Sequence, residues 1–147
     1  MRIRPFEPRD EADVLRMVRA LYRDDPSPHT PGDANVRRTL GVITDPQRGA
    51  VWLADDGAGT VPFAYMFLSK LWSNELGGDI VFVDELWVAP ERRSCGVGTA
   101  LVEHGIATTS GAAAFELEVT PDNTRARALY ERLGFRPLRN ASLRRSD

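Results

Sequence analysis

The stretch Ala89-Pro90-Glu91-Arg92-Arg93-Ser94-Cys95-Gly96-Val97-Gly98-Thr99 carries the residues whose types and spacing say most about chemistry. Small residues let a backbone approach a ligand closely, and a helix start presents several N–H groups with no partner inside the helix. Such a start suits a phosphate. Arg92 and Arg93 add fixed positive charge beside it, and a guanidinium grips a phosphate through two parallel hydrogen bonds. Other phosphate loops fit worse. A dinucleotide fingerprint needs a small residue where Leu101 stands, and a P-loop needs Gly-Lys-Ser/Thr where the chain has Gly98-Thr99-Ala100. Taken alone, the glycine pair is as readily a tight turn with two solvated arginines. A second feature is the adjacent pair Asp84 and Glu85 inside an otherwise apolar run. Strand alternation puts them on opposite faces, Glu85 with Trp87 and Asp84 with Leu86 and Val88, so only one faces a given pocket. The sequence leaves open which, and each is equally a satisfied structural carboxylate.

The elements that must position these groups follow from hydrophobic period. Arg2 to Phe6 alternates as a strand, and Val14, Leu15, Val18, Leu21 and Tyr22 recur at helical spacing. The run DDPSPHTPGD, residues 24 to 33, is a loop, followed by a weaker helix around Asn35 to Ile43. Three apolar stretches come next, Ala50 to Ala54, Val61 to Leu71 and Ile80 to Val88, separated by turn-rich segments, and they read as consecutive antiparallel strands. Val97, Ala100, Leu101 and Ile106 mark a helix entered through Gly96 and Gly98. Ala113 to Val119 returns to strand. A last helix carries Ala126, Leu129, Tyr130 and Leu133, stops at Gly134, and leads to a short final strand. The predicted order is β-α-α-β-β-β-α-β-α-β, an α/β (α+β) domain over residues 1–147.

Composition narrows the function classes. With 147 residues, 42% hydrophobic and 27% charged, the chain suits one globular domain. A net charge of -2 supplies no broad basic field, which disfavours nucleic acid as a partner. No apolar run reaches membrane-spanning length and the charged N-terminus is unlike a signal peptide, so the expectation is a cytoplasmic protein with no membrane partner. One cysteine, Cys95, allows no internal disulfide, and His29 and His104 lie too far apart for a familiar zinc spacing, so no metal is expected.

Arg93-Ser94-Cys95-Gly96-Val97-Gly98 resembles the Arg/Gln-x-x-Gly-x-Gly/Ala loop of the GNAT superfamily of N-acetyltransferases. Asn123 to Phe135, NTRARALYERLGF, is similar to that family's Asn-x-x-Ala-x-x-Leu-Tyr-x-x-x-Gly-Phe helix. The element order matches along nearly the whole chain. Ser94 departs from the glycine that many members carry. The resemblance implies a mixed, mostly antiparallel sheet of six to seven strands flanked by about four helices. It implies acetyl-CoA as co-substrate and an amine acceptor, with transfer by direct attack in a ternary complex, and it admits a homodimer. By similarity, the backbone of Leu86, Trp87 and Val88 pairs with the pantetheine arm where two strands part. The N–H groups of Arg93, Ser94, Cys95, Gly96, Val97, Gly98 and Thr99, with Arg92 beside them, hold the pyrophosphate.

The same resemblance gives Asn123 a hydrogen bond to the coenzyme, alongside its ordinary reading as a helix N-cap. Tyr130 stands where many members place a general acid beside the thioester sulfur, its plain alternative being core packing. An alkylamine is mostly protonated at neutral pH and must lose a proton before it attacks, which makes Asp84 and Glu85 the candidate bases. Cys95 lies a pantetheine length from the thioester and is expected to pack rather than react. Acceptor choice is expected from Tyr22, Asp24 and Asp25, the loop from Trp72 to Asp79, and the Asp84/Glu85 pair, whose acidic bias favours a cationic amine such as a polyamine, an aminoglycoside or a lysine side chain. The alternative of another class is a non-catalytic acyl-CoA-binding regulator.

Overall fold

Helix α1 (Glu11–Asp24) forms where apolar residues recur on one stripe, burying Val14, Leu15, Met17, Val18 and Ala20. Each such side chain removed from water stabilises the fold by about 2 kcal/mol before entropy is counted. Helix α2 (Asp33–Ile43) buries Val36, Leu40 and Ile43 in the same way. The computed structural model describes residues 1–140 and 142–145. Its sheet has the order β1 (Arg2–Pro5), β2 (Gly49–Asp55), β3 (Ala64–Ser73), β4 (Gly78–Val88) and β5 (Ala112–Leu117). The first three pairings are antiparallel and β4 with β5 is parallel. The crossover that a parallel pair requires is supplied by α3 (Val97–Thr108). Helix α4 (Thr124–Arg132) follows β5.

Strand β3 shows why the sheet is central. Ala64, Tyr65, Met66, Phe67 and Leu68 are all buried, an unbroken run rather than an alternation, because helices cover both faces. Tyr65 and Phe67 share the face of α1. Met66 pairs with Leu86, and a Cβ placed on Gly98 of α3 would lie 3.8 Å from Leu86 Cδ2, so Met66, Leu68 and Leu86 face α3.

The β3–β4 ladder slips at one place. Phe67 pairs with Glu85 and Leu68 with Val83, leaving Asp84 as an extra residue in a β-bulge. Val83 therefore points with Leu68 toward α3 and Glu85 with Phe67 toward α1, although they are two residues apart. The simple alternation expected for Asp84 and Glu85 is interrupted where it mattered.

At the other end of the sheet an ion network fastens β1 to β2. Asp55, fully buried, accepts from Arg2 Nε at 3.0 Å, Arg2 Nη2 at 2.9 Å, Arg4 Nε at 2.7 Å and the Gly57 N–H at 2.9 Å. Arg4 also grips Asp10 through both Nη atoms at 2.7 and 2.8 Å. The hydrogen bonds from Arg2 and Arg4 hold both carboxyls below the usual aspartate range, against the opposing effect of burial.

The sheet has five strands, not six or seven, and the expected final strand is absent among the described residues. Gly134 adopts φ +91° and the Phe135 N–H returns to Tyr130 O at 3.0 Å, closing α4 in a turn. Beyond it Pro137 has no N–H for a ladder, and Arg136 caps carbonyls of the helix end instead. Part of the expected strand region, residue 141, lies outside the described residues, as do 146 and 147.

Candidate active site

Strands β4 and β5 stay paired only as far as Val83 and Leu117, while β4 runs on to Val88. From Asp84 onward β4 has no strand on its β5 side, so the two diverge into a wedge. A cleft of about 900 Å³ opens there, lined by Leu86, Trp87, Val88, the Arg92–Thr99 region and the first turns of α4. The backbone of Leu86 to Val88, expected to meet the pantetheine arm, thus lies along the cleft.

The loop after β4 forms the floor at one end. Ser94 has φ +63° and Gly96 φ +80°, left-handed positions that turn the chain twice before α3 begins. Glycine meets that demand freely at 96, whereas Ser94 carries a Cβ into the same region. The N–H groups of residues 94 to 99 have no hydrogen-bond partner among the described residues. Six consecutive free donors at a helix start form a fitting cradle for a diphosphate. Gly98 also serves packing: a Cβ there would sit 3.1 Å from Leu129 Cδ2, so its smallness lets α3 meet α4.

The two expected phosphate arginines are already engaged. Arg92 pairs with Asp56 and lies 4.5 Å over the Phe63 ring. Arg93 donates Nε to Val88 O at 2.8 Å and pairs with Asp24, which also accepts from Trp87 Nε1 at 3.1 Å. Arg93 in turn holds Asp24 below its ordinary pKa. Sequence reasoning missed Arg125. From the first turn of α4 it lines the cleft and donates to Ser94 Oγ at 3.1 Å, a neutral partner that leaves its charge uncompensated by any carboxylate among the described residues. Its signal was its place in NTRARALY, two residues past Asn123, on the helix already singled out.

Asn123 is the N-cap of α4, its Oδ1 accepting from Ala126 N at 3.1 Å. Its Nδ2 donates to Asp25 at 2.9 Å, and Thr120 Oγ1 donates to the same carboxylate at 3.1 Å. Asp24 and Asp25, expected to face an acceptor, line the cleft and are engaged by these partners: together they fasten the end of α1 to both arms of the wedge. Cys95 is exposed rather than packed. His104 stacks edge-on against Trp52 at 4.3 Å, and Trp72 is exposed at the β3–β4 turn.

Tyr130 is 9% exposed, sits edge-to-face on Phe135 at 5.8 Å, and lines the cleft. Burial pushes its phenol up to about 12, so it is a proton donor at neutral pH. Its hydroxyl has no partner among the described residues. Glu85 stands one residue before the cleft-lining Leu86 and, like Asp84, is not itself among the residues that line the cleft; it accepts from Tyr22 Oη at 2.8 Å and Tyr65 Oη at 2.7 Å. Burial raises its pKa while the two phenols pull it down, and burial prevails. Asp84, exposed at the bulge, is also raised, by desolvation and by the negative charge of Glu118.

The wedge and the N–H cradle lie where the resemblance implied them, and the sequence matches a family model, Acetyltransferase (GNAT) family, over residues 15–135. The chain belongs to the GNAT family. It is an acyltransferase of that family, whose enzymes use acetyl-CoA. Similar solved structures include a probable acetyltransferase, 20% identical with TM-score 0.83, covering 100% of this chain and 99% of that one. Another is the ribosomal-protein-alanine N-acetyltransferase of Brucella melitensis biovar Abortus 2308, 15% identical, TM-score 0.78, covering 99% and 100%. A third is AAC(6')-Iy in complex with the bisubstrate analog CoA-S-monomethyl-acetylneamine, 20% identical, TM-score 0.76, covering 99% and 97%. No curated protein matches the chain. At these identities the GNAT neighbours establish the fold. No helix among the described residues is long and apolar enough to cross a membrane.

Proposed function

We propose that this GNAT protein moves an acetyl group from acetyl-CoA to a primary amine by direct attack in a ternary complex. The observation that carries the reading is the wedge itself: free strand edge, free N–H cradle and an unpartnered Tyr130 hydroxyl share one cleft. The diphosphate fits the donors of residues 94 to 99 with Arg125 beside them, and the pantetheine amides fit the open edge of Leu86 to Val88. Binding there holds the thioester in place. Glu85, with Asp84 adding negative charge nearby, takes the proton of the incoming ammonium, whose freed lone pair attacks the thioester carbonyl. As the carbon–sulfur bond breaks, Tyr130 gives its proton to the departing thiolate, and the second proton that nitrogen sheds in becoming an amide returns the phenolate to phenol.

A cationic amine suits the acids gathered at the wedge, Asp84, Glu85 and Glu118. The neighbours support both small and protein acceptors, since one carries an acetylneamine analog and another is named for ribosomal-protein alanine. The test pairs calorimetry of acetyl-CoA binding with thiol release over small amines, aminoglycosides and peptides. In the Tyr130→Phe protein the coenzyme should bind as before while single-turnover transfer slows on the order of a hundredfold. Wild-type transfer speed in that variant returns Tyr130 to a packing role.

A further inference from the structure

Both oxygens of the Glu85 carboxylate are taken by phenols, but the two phenols are not equivalent. Tyr65 belongs to β3, is 0% exposed, and is held edge-on against Phe67 with ring centres 4.8 Å apart. It has no route to water and no room to turn. Tyr22 belongs to the last turn of α1 and is only partly buried. The strands fix one donor and a helix end presents the other.

We propose that Tyr22 and Tyr65 are positioning residues for Glu85 with divided roles: Tyr65 anchors Oε2 from within the sheet, and Tyr22 steadies Oε1 from a helix end while the second lone pair of Oε1 takes the proton of the acceptor ammonium. The inference rests on the proposed function and deepens it. Each carboxylate oxygen has two lone pairs, so one phenol on each still leaves Oε1 a site for the ammonium proton. When the ammonium arrives, its N–H bond breaks, the electron pair stays on nitrogen, and the proton bonds to Oε1. Tyr22 keeps its hydrogen bond to the other lone pair of Oε1. Loss of the Glu85 proton to solvent restores the starting pair. Meanwhile Tyr65 keeps Oε2 in place, so the carboxyl does not swing.

The groups that face Glu85 are Tyr22 from α1, Tyr65 from β3 and Asp84 from its own strand. The phenols favour the ionised form; Asp84 and burial oppose it. Removing either phenol therefore leaves the opposing effects less balanced, and Glu85 should hold its proton to higher pH.

The test is the pH profile of kcat/KM for the full chain and for Tyr22→Phe and Tyr65→Phe, with acetyl-CoA and an amine that the thiol-release assay finds active. Each variant should move the acidic limb upward by about one pH unit. Above the limb, Tyr22→Phe should keep its rate within about threefold, while Tyr65→Phe, which frees the carboxyl to swing, should lose about tenfold. Acetyl-CoA affinity should be unchanged in both. Glu85→Gln should abolish the limb. A limb unmoved in the folded tyrosine variants, yet abolished in Glu85→Gln, overturns the positioning role and leaves the base intact. Equal plateau losses overturn the divided roles. A limb that survives Glu85→Gln overturns the base assignment and this inference with it. Should Tyr65→Phe fail to fold, Tyr22→Phe alone decides, since Tyr22 is only partly buried and the limb shift is its own readout.

Discussion

Asp10 and Asp55 meet arginines; Glu85 meets tyrosines. At the β1–β2 end of the sheet the buried carboxylates are matched by full positive charges and sit below their usual pKa. At the β4 bulge the partners are neutral donors and the pKa lies above its usual value. A cation fixes the ionised state, because protonating the carboxyl would strand the guanidinium in a buried place. A phenol offers a hydrogen bond without a charge, so the proton can come and go at modest cost. The first arrangement holds structure together and the second suits a group that must change state in each turnover.

The contrast breaks most visibly at Asp55. Asp55→Ala should destabilise the protein by about 3 kcal/mol, read from denaturant unfolding, with the transfer rate per folded molecule unchanged. Arg2 is 45% exposed in its side chain and can turn to water, which keeps the loss from being larger. Glu85→Gln should behave the other way: transfer falls on the order of a hundredfold, while stability moves by less than about 1 kcal/mol, since the amide keeps one oxygen to accept. Equal stability losses for the two would erase the distinction.

The smallest effect is in the pH dependence of unfolding, and the two regions should contribute with opposite sign. The folded values of Asp10 and Asp55 are depressed, so their stabilisation is complete above the usual aspartate value near 3.8 and is lost as pH falls below it. Glu85 is raised above its usual 4.5, so it favours the folded state below that value and loses this as pH rises through its folded pKa. Thermal midpoints of wild type and Glu85→Gln should diverge slightly as pH rises above 4.5 and run parallel below it.

Much of this was legible in the chain because it is local. The glycine loop, the N-cap at Asn123 and the order of elements up to α4 each depend on residues within a turn or two of one another. What escaped was set across the fold. Nothing near Asp84 announces a bulge, since the slip is defined by which residue of β3 stands opposite. Arg92 looked free because Asp56 and Phe63 are distant in sequence, and Tyr22 and Tyr65 reach Glu85 from two other elements. The final strand expected after Gly134 does not form among the described residues, where Pro137 has no N–H for a ladder and Arg136 turns back to the carbonyls of the helix end.

The bulge also makes position along β4 a matter of parity. Before Asp84 the odd-numbered Val81 and Val83 point toward α3; after it the odd-numbered Glu85 and Trp87 point toward α1. A substitution alters one side chain, but gaining or losing a residue between Val83 and Glu85 would redirect every side chain that follows, as a shifted frame rewrites the codons downstream. The active centre is thus encoded in a count as well as in residue types. Length can drift in the exposed turn between β3 and β4, yet a few positions later the chain must be neither one residue longer nor one shorter.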